Sequence, residues 1–467
     1  MSSEKIAIIG LGYVGLPLSL RFAESCNEVI GIDIDPAKID ILNSGRTYIK
    51  HVEADRISAV VRDKKFQATT DFSRIRECEA VIICVPTPLT KTREPDLSYV
   101  LNTGRAIAPH LQAGMLVVLE STTYPGTTEE ELRAVLEDGS PSADSAEKIV
   151  DSRKKIEGVS GTISDLPSSN FQSRGDRMVA GRDFHLAYSP EREDPGNPNS
   201  NVGKVPKIVG GLTPACLDKA VALYSRAVEN VVPVSSCRVA EAAKLLENVF
   251  RSVNIALVNE LKVIYAAMGI DIWEVIEAAR TKPFGFMPFY PGPGLGGHCI
   301  PIDPFYLAWK AREFGKPTRF IELAGEINTA MPDYVIQRLV DTLNSSRKSV
   351  KGSRVLLIGL AYKADVDDMR ESPTFMLMDK LDALGAEVAY YDPHIPVIGP
   401  TREHSHWKGT RSVEWSEQTI RGFDAAVIVT AHRAIDYKQL ANWAPLIVDT
   451  RNVYGADPSR HGLIFPA

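Results

Sequence analysis

Cysteine is scarce in this 467-residue chain, and its spacing excludes two common uses of the residue. The six cysteines are Cys26, Cys78, Cys84, Cys216, Cys237 and Cys299. No two of them stand in the C-x-x-C pattern that is typical of zinc ligands and redox pairs. We therefore expect reduced thiols of the kind found in cytoplasmic proteins, with no disulfide framework and no bound metal.

Long apolar runs and an excess of basic residues are also missing. No apolar stretch reaches the roughly 18 residues that a membrane span needs. The first residues lack the basic start and apolar stretch of a secretory signal. The net charge of -6 argues against a nucleic-acid-binding surface. We expect a cytoplasmic protein of two or three globular domains, with neither membrane nor nucleic acid as a partner.

What the sequence does contain is a regular alternation of strand-like and helical patterns. In the first third the strand candidates are residues 6–9, 29–33, 80–85, 116–120 and 185–188. A second series comprises residues 355–359, 387–391, 425–429 and 447–449. Such alternation predicts an α/β protein with two doubly wound, Rossmann-like domains, each a parallel sheet covered by helices on both faces.

A segment without glycine or proline, 238–268, lies between the two series and predicts one long helix. A helix of that length usually bridges domains or forms a subunit interface, so we expect a homodimer or a higher homo-oligomer. The expected domains are an α/β domain at 1–235, a helical central domain at 236–332, and a smaller α/β domain at 333–467 that opens with a helix after Pro332. Within the first, the polar stretch 138–182 predicts a mobile surface insertion.

The motif GLGYVG, residues 10–15, directly follows the first predicted strand and opens a helix. Its glycines permit a tight turn and the close approach of a pyrophosphate to the helix N-terminus. Asp33 ends the second strand, 18 residues after Gly15, where a ribose-binding carboxylate belongs. Because a carboxylate there would repel a 2′-phosphate, the motif predicts NAD rather than NADP. A purely structural glycine turn is the alternative.

Three further motifs follow predicted strands, at the edge where open α/β sheets bind ligands. They are VPTP with Thr87, STTYPG with Thr122, and SPER with Glu191. The threonines are candidates to contact a cofactor or a catalytic water, or else they cap helices. Glu191 is a candidate to hold a water or act as a base, or else it is a solvated loop residue.

The segment PGPGLGGHCIPID, residues 291–303, combines a glycine-rich loop with one thiol and one carboxylate. A thiolate becomes a strong nucleophile when a nearby cation lowers its pKa, which makes Cys299 a candidate nucleophile supported by Asp303. On the long helix, Lys244 and Asn248 share one face. Their partner is either a substrate oxygen or an internal salt bridge.

In the last domain, Lys363, Arg370 and Arg451 follow predicted strands or open a helix. All three could bind phosphates, or they could be ordinary surface charges. The domain lacks the GxGxxG pattern, so a second NAD site is not indicated.

Taken in order, these segments resemble the UDP-glucose/UDP-N-acetylmannosamine dehydrogenase family over nearly the whole chain apart from the insertion. The resemblance rests on GLGYVG, VPTP, STTYPGTT, SPER, KLLENVFRSVNIALVNE, GLGGHCIPIDP and GLAYKADVDDMRES. It is strongest towards the UDP-N-acetylglucosamine 6-dehydrogenase branch. It implies oxidation of the C6 alcohol of a UDP-sugar to a carboxylate, with two NAD per turnover and a Cys299 thiohemiacetal and thioester, for surface polysaccharide synthesis.

The resemblance also implies a role for each matching residue. The catalytic residues would be Cys299, Lys244, Asn248, Asp303, Glu191 and Thr122. The residues binding NAD would be Gly10, Gly12, Tyr13, Val14, Gly15, Asp33, Lys38, Thr87, Thr122 and Arg370. The residues binding the UDP-sugar would be Glu191, Lys244, Asn248, Gly296, Lys363 and Arg451. One feature differs: where the family often has an arginine that reaches the neighbouring subunit's substrate, this chain has Pro283, flanked by Arg280 and Lys282.

Other functions compete with this hypothesis. UDP-N-acetylmannosamine, UDP-N-acetylgalactosamine and UDP-glucose are alternative substrates for the same chemistry. A two-electron hydroxy-acid dehydrogenase would use a related plan without Cys299, and would form one NADH per substrate instead of two. A non-enzymatic NAD-sensing scaffold is a third possibility, which the set Lys244, Cys299 and Asp303 argues against.

Overall fold

The computed structural model describes residues 4–25, 28–49, 52–90, 92–141, 177–192, 203–297, 300–455 and 463–467. They form two compact units, Met1–Leu246 and Glu247–Ala467, which we describe in turn. Among the helices of these residues, none has the length and apolarity needed to cross a membrane.

The first unit is built on an eight-stranded sheet in the order β3-β2-β1-β4-β5-β6-β7-β8. Its strands are β1 Lys5–Ile9, β2 Glu28–Ile32, β3 Phe66–Thr69, β4 Ala80–Ile83, β5 Leu116–Leu119, β6 His185–Tyr188, β7 Lys207–Gly211 and β8 Val231–Val234. Neighbouring strands run parallel except β6 and β7, which are antiparallel. The order reverses direction at β1, as it does in dinucleotide-binding folds.

The helices of the first unit are α1 Gly15–Glu24, α2 Pro36–Asn43, α3 Ala54–Arg62, α4 Ser98–Ile107, α5 Arg133–Gly139 and α6 Pro214–Tyr224. Their starts follow ordinary capping chemistry, since Asp35 caps α2 and Thr213 caps α6, each followed by proline. Alternate residues of β1 enter different apolar clusters, Ile6 and Ile8 on one face and Ala7 and Ile9 on the other. Both faces of the sheet are therefore covered.

All five strands predicted for this unit are present, and β3, β7 and β8 are additional. The predicted insertion at 138–182 is too long at its C-terminal end, because Met178 and Ala180 are buried in the apolar core. Residues 142–176 of that prediction lie outside the described residues. The polar composition of the stretch concealed the short apolar segment that closes it.

The long helix α7 spans Cys237–Ala267, as its sequence predicts, and the boundary between the two units falls within it. In the second unit it is followed by α8 Ile272–Ala279, α9 Asp303–Glu313 and α10 Arg319–Ser345. The prediction of a helix beginning after Pro332 is wrong, because α10 begins at Arg319 and contains Pro332 in its interior. A proline inside a helix removes one backbone hydrogen bond. The helix tolerates Pro332 because it buries apolar residues on both sides of it, from Ile321 to Leu343.

The second unit ends in a parallel five-stranded sheet in the order β10-β9-β11-β12-β13. Its strands are β9 Arg354–Ile358, β10 Glu387–Tyr391, β11 Ala425–Ile428, β12 Ile447–Asp449 and β13 Ile464–Pro466, and its helices are α11 Pro373–Ala383, α12 Glu417–Arg421 and α13 Tyr437–Trp443. Four of the strands were predicted. The chain is thus an α/β protein with two Rossmann-like sheets and a helical segment between them in sequence.

Candidate functional site

The glycine motif forms the turn between β1 and α1. Gly10 adopts a φ of +91°, and a Cβ there would lie 2.4 Å from the carbonyl oxygen of Cys84, so only glycine fits. By contrast, a Cβ at Gly12 would meet open space. Tyr13 and Val14 complete the turn, and Val14 at the N-cap of α1 has no side-chain acceptor for the first N–H groups. The turn therefore offers an accessible backbone and an uncapped helix N-terminus, which fit a pyrophosphate.

Asp33 follows β2 and is 7% exposed. Its Oδ2 accepts the Leu11 N–H at 2.9 Å and lies 3.1 Å from Lys38 Nζ, while its Oδ1 accepts the Asp35 N–H at 3.1 Å. Since a carboxylate oxygen can accept about two hydrogen bonds, Oδ1 has capacity for one more donor. The structure places Gly12, Asp33 and Lys38 around one turn, and these residues fit NAD: the carboxylate suits a ribose hydroxyl.

Thr87 and Thr122 lie on the loops that follow β4 and β5. Ser121 Oγ joins these loops, since it donates to the Val85 carbonyl at 2.7 Å and accepts the Val85 N–H at 3.0 Å. Neither threonine caps the following helix, whose N-cap positions are Leu97 and Gly126. The helix-cap alternative is therefore wrong, and the structure leaves both at the strand-end edge of the sheet.

Glu241, on α7, is a fully buried carboxylate that was not among the predicted site residues. It accepts the Gly126 N–H at 2.7 Å, the Thr128 N–H at 3.0 Å and the Thr128 hydroxyl at 2.7 Å. Burial raises the pKa of Glu241 to about 7, and the three donors oppose that rise. Glu241 thereby fastens the end of the loop that carries Thr122 to the long helix. Its partners are more than 110 positions away in sequence, so no local pattern could reveal it.

Glu191, after β6, belongs to a buried charged network that the sequence also concealed. Lys207 Nζ lies 2.8 Å from Glu120 Oε2 and 3.2 Å from Glu191 Oε2. Tyr224 donates its hydroxyl to the other oxygen of Glu120. Burial raises the pKa of Glu120, an effect that the Lys207 ammonium opposes. Glu191 is thus anchored through its carboxylate, and the solvated-loop alternative is wrong.

Lys244, on the first-unit part of α7, is also held by this loop. Its Nζ donates to the backbone carbonyl of Glu191 at 2.5 Å, and the residue is 9% exposed. The contact that Lys244 makes here is thus a hydrogen bond to a neutral oxygen, and not the internal salt bridge that was one of the two alternatives. Such a bond leaves the positive charge of the ammonium available to a developing oxyanion.

In the second unit, Asn248 and Asp303 form a buried pair. Asn248 Nδ2 donates to Asp303 Oδ2 at 2.6 Å, and the two residues are 1% and 2% exposed. Asp303 is the first residue of α9, where a carboxylate is favoured by the helix dipole. The contact brings Asn248 on α7 to the segment that follows Cys299 in sequence.

Cys299 itself lies outside the described residues, but the loop before it is well defined by its contacts. The Gly292 N–H donates to Asn259 Oδ1 at 3.0 Å, and Asn259 Nδ2 donates to Asn328 Oδ1 at 2.9 Å. At the other end, a Cβ on Gly296 would lie 2.8 Å from the Cβ of Tyr362. The loop is therefore fixed at both ends, by buried amides and by the first turn of the last domain.

The turn after β9, at Gly359, repeats the geometry of the glycine motif, but its carboxylate is not available to a ribose. Gly359 also has a φ of +91°, and the Leu360 N–H donates to Asp392 at 2.7 Å, as Leu11 does to Asp33. The other donors to Asp392 are Ala361 N, His394 N, Ile395 N and His432 Nε2. Five donors saturate a carboxylate with about four acceptor positions, which leaves none for a ribose hydroxyl.

A cluster beside Asp392 has the composition of a metal site. Ligand atoms of Asp365, His394 and His432 lie within 4.8 Å of one another. However, His432 Nδ1 accepts the Asp365 N–H at 3.0 Å, and its Nε2 lies 3.0 Å from Asp392 Oδ2. Both nitrogens of His432 are used by hydrogen bonds, so the cluster stabilises the turn rather than forming a metal centre.

The three basic residues that were candidates to bind phosphates in the last domain, Lys363, Arg370 and Arg451, differ in their surroundings. Arg451 is partly buried, its Nε donates to the Val429 carbonyl at 2.7 Å, and burial lowers its pKa to about 10. A Cβ on Gly292 would lie 2.6 Å from its guanidinium, so Arg451 adjoins the start of the glycine-rich segment 291–303. Arg370 is exposed and paired with Asp368 at 2.6 Å, and Lys363 is half-buried. The surface-charge alternative is thus wrong for Arg451, while the predicted contact of Arg370 with NAD stays a prediction.

The segment that replaces the family's arginine is exposed. Pro283 and Lys282 lie at the surface, and Lys282 Nζ lies 5.0 Å from the ring centre of Phe284, which is 71% exposed. Arg280 pairs with Glu277 at 3.1 Å and its side chain is 55% exposed. Both cations therefore face away from the core of their own unit.

A nucleotide-binding turn, a strand-end edge of polar loops and a second, modified Rossmann-like sheet define the class of an NAD-dependent dehydrogenase. Three models of the UDP-glucose/GDP-mannose dehydrogenase family match the chain in order: the NAD binding domain over residues 4–228, the central domain over 238–330 and the UDP binding domain over 356–456. The chain belongs to this family, and it is an NAD-dependent oxidoreductase of the UDP-sugar dehydrogenase type.

Individual relatives match over most of their length. An NDP-N-acetyl-D-galactosaminuronic acid dehydrogenase of Ralstonia nicotianae is 34% identical over 457 residues, 97% of this chain and 96% of the relative. A UDP-N-acetyl-D-glucosamine 6-dehydrogenase of Pseudomonas aeruginosa is 34% identical over 405 residues, 86% of each chain. The solved UDP-D-ManNAc dehydrogenase of Pyrococcus horikoshii is 30% identical with a TM-score of 0.81, covering 99% of this chain and 98% of that one.

Proposed function

We propose that this enzyme oxidises the C6 alcohol of UDP-N-acetylglucosamine to the carboxylate, in two successive two-electron oxidations, for surface polysaccharide synthesis. The observation that carries the proposal is the 34% identity, over 405 residues, with an enzyme named for this activity. Relatives named for N-acetylgalactosaminuronate and N-acetylmannosamine support the wider class of N-acetylated sugars. UDP-N-acetylgalactosamine, UDP-N-acetylmannosamine and UDP-glucose are the competing substrates.

The proposed mechanism assigns the first steps to Cys299, Lys244 and Asn248. NAD, when bound, supplies the hydride acceptor at each oxidation. The Cys299 thiolate adds to the C6 aldehyde left by the first oxidation, forming a C–S bond and a thiohemiacetal. Loss of the remaining C6 hydrogen as a hydride then leaves a thioester on Cys299. Lys244 stabilises the oxyanion that develops at each stage, and Asn248 assists it, because a preorganised ammonium or amide lowers the cost of that charge.

The last step of the proposed mechanism hydrolyses the thioester. Glu191 and Thr122 hold the attacking water, Asp303 orients it, and Glu191 accepts its proton. The new C–O bond forms as the C–S bond breaks, and the thiolate of Cys299 is restored. This route explains how an NAD-linked enzyme with a thiol can end at an acid. A free aldehyde cannot lose its C6 hydrogen as a hydride and become an acid derivative until a nucleophile has added to C6, and the thiolate of Cys299 is that nucleophile.

We also propose a three-domain division at 1–235, 236–332 and 333–467, and a homodimer or higher homo-oligomer. The support for self-association is an exposed apolar stripe on α7: Phe250, Leu257 and Ile264 recur every seven residues and are 45%, 49% and 45% exposed. A regular apolar stripe on a helix is typical of a helix–helix interface. In such an oligomer, Arg280 or Lys282 would replace the arginine with which the family reaches the substrate of a neighbouring subunit. The free thiols of Cys78, Cys84, Cys216 and Cys237 fit a reducing compartment, so we place the enzyme in the cytoplasm.

A panel of UDP-sugars tests the substrate assignment. Initial rates of NADH formation are measured with UDP-N-acetylglucosamine, UDP-N-acetylgalactosamine, UDP-N-acetylmannosamine and UDP-glucose at equal concentrations. We expect the highest kcat/KM with UDP-N-acetylglucosamine. A clear preference for UDP-glucose would contradict the proposed substrate and leave the chemistry of Cys299 intact.

A further inference from the structure

One ammonium group serves two carboxylates inside the first unit. Lys207 is 4% exposed, and its Nζ lies 2.8 Å from Glu120 and 3.2 Å from Glu191. Glu120 is 1% exposed and also accepts the hydroxyl of the fully buried Tyr224. A buried ammonium is stable only when it is paired, so Lys207 and Glu120 hold each other in place.

The strand order explains how these three charges meet. Strand β7 runs antiparallel to β6, with Ala187 opposite Gly211 and Tyr188 opposite Gly210. Continuing that register places Glu191 opposite Lys207. In an all-parallel sheet the first residue of β7 would lie at the other edge. The one reversal in the sheet therefore brings a lysine to the edge where β5 and β6 end.

The three residues differ in what they can do. Glu120 and Lys207 are sealed from solvent, whereas the side chain of Glu191 is 17% exposed. Glu191 Oε1 accepts the neighbouring Arg192 N–H at 2.7 Å, and its Oε2 faces Lys207. Lys207 thus holds the carboxylate of Glu191 from its inner side. A reactive carboxylate needs such a support, because a displacement of about 1 Å can cost roughly 100-fold in rate.

We propose that Lys207 is the positioning residue for Glu191, with Glu120 and Tyr224 as its fixed buried support. This inference rests on the proposed function, in which Glu191 holds the water that hydrolyses the Cys299 thioester. Hydrolysis follows both hydride transfers, so a misplaced Glu191 slows turnover after two NADH have formed at each active site. Lys207 touches neither substrate nor cofactor in this scheme, and acts through Glu191.

The test compares four variants by stopped-flow NADH absorbance and by thermal melting. Lys207→Met removes the charge while keeping the length of the side chain, and Glu191→Gln provides the reference phenotype. The double variant Glu120→Gln/Lys207→Met removes both buried charges, so it separates the loss of stability from the loss of positioning. Lys204→Met is the matched control, since Lys204 is exposed and lies three residues earlier.

We expect Lys207→Met to lower kcat roughly 100-fold, with little change in the KM for the UDP-sugar and with a burst of two NADH per active site. The double variant should melt close to the wild type and still match Glu191→Gln in kcat and in burst. Lys204→Met should behave as the wild type.

Wild-type kcat in the double variant would overturn the inference, because the buried pair would then matter only for folding. Wild-type kcat in Lys207→Met would overturn it as well. Failure of the proposed function gives a different result: the wild type would form one NADH per sugar. Agreement between the double variant and Glu191→Gln in kcat would still support the positioning role in that case.

Discussion

Asn248 donates its side-chain amide to Asp303 at 2.6 Å, and neither residue is more than 2% exposed. This contact joins the long helix α7 to the first turn of α9, four residues after Cys299 in sequence. A carboxylate buried this deeply depends on its donors, because it has lost its hydration. The pair therefore serves both the stability of the second unit and the placement of the segment that follows the proposed nucleophile.

Replacing Asn248 with leucine, which has nearly the same shape, should destabilise the enzyme by about 1.5–3 kcal/mol, because it removes a hydrogen bond to a buried carboxylate. Turnover should fall as well, since Asp303 loses its orientation. Thermal melting and kcat measure the two effects. The control is Asn254→Leu on the same helix, where the amide only bonds the Phe250 carbonyl on the exposed side. Equal effects of the two substitutions would contradict the special role of the pair.

Glu241 predicts a pH dependence of stability. Its pKa in the folded enzyme is raised to about 7 from 4.5. A raised pKa means that the folded state binds the proton more tightly, so the contribution is fully present below about pH 4.5 and is lost as pH rises through about 7. A shift of this size corresponds to a contribution on the order of 3 kcal/mol.

Melting of the wild type and Glu241→Gln between pH 4.5 and pH 8 measures this contribution. The difference between the two proteins should change across that window, with the wild type losing more stability as pH rises. Glu260→Gln, at an exposed position on the same helix, should keep the wild-type profile. A Glu241→Gln profile parallel to the wild type would show that Glu241 does not titrate there.

The strands of both sheets were largely predictable because most are continuous apolar runs that end in turn residues. The exceptions have local causes. Strand β7 reads KIVGG, in which two glycines weaken the signal, and β8 contains Pro233. Helix α10 was predicted too short because Pro332 suggested a start rather than an interior position.

The residues of the candidate site could be predicted where they belong to a local sequence motif. They could not be predicted where residues far apart in sequence come into contact. The glycine turn, Asp33 and the loops with Thr87, Thr122 and Glu191 follow strands, so their placement at one edge could be inferred. Glu241, Lys207 and Glu120 carry no motif. Their importance arises from burial and from partners far away in sequence, which only the folded chain reveals.

Asp33 predicts the choice between NAD and NADP. Asp33→Asn keeps one acceptor for the Leu11 N–H but removes the negative charge. That charge binds the ribose hydroxyl of NAD and repels the 2′-phosphate of NADP. We expect the KM for NAD to rise about 10- to 100-fold, the equivalent of losing a hydrogen bond to a charged group. NADP should become a detectable substrate. Asp40→Asn, at an exposed position on α2, is the control, and unchanged NAD kinetics in Asp33→Asn would contradict the assignment.

Cys299 carries the central claim, that an aldehyde is captured as a thiohemiacetal and oxidised to a thioester. The most direct measurement counts NADH formed per UDP-sugar consumed, in the wild type, in Cys299→Ser and in a Cys78→Ala control. We predict two NADH per sugar for the wild type and for the control. Cys299→Ser should stall, so that it does not complete the oxidation to the acid at a rate comparable to the wild type. Two NADH per sugar from Cys299→Ser at the wild-type rate would contradict the covalent route.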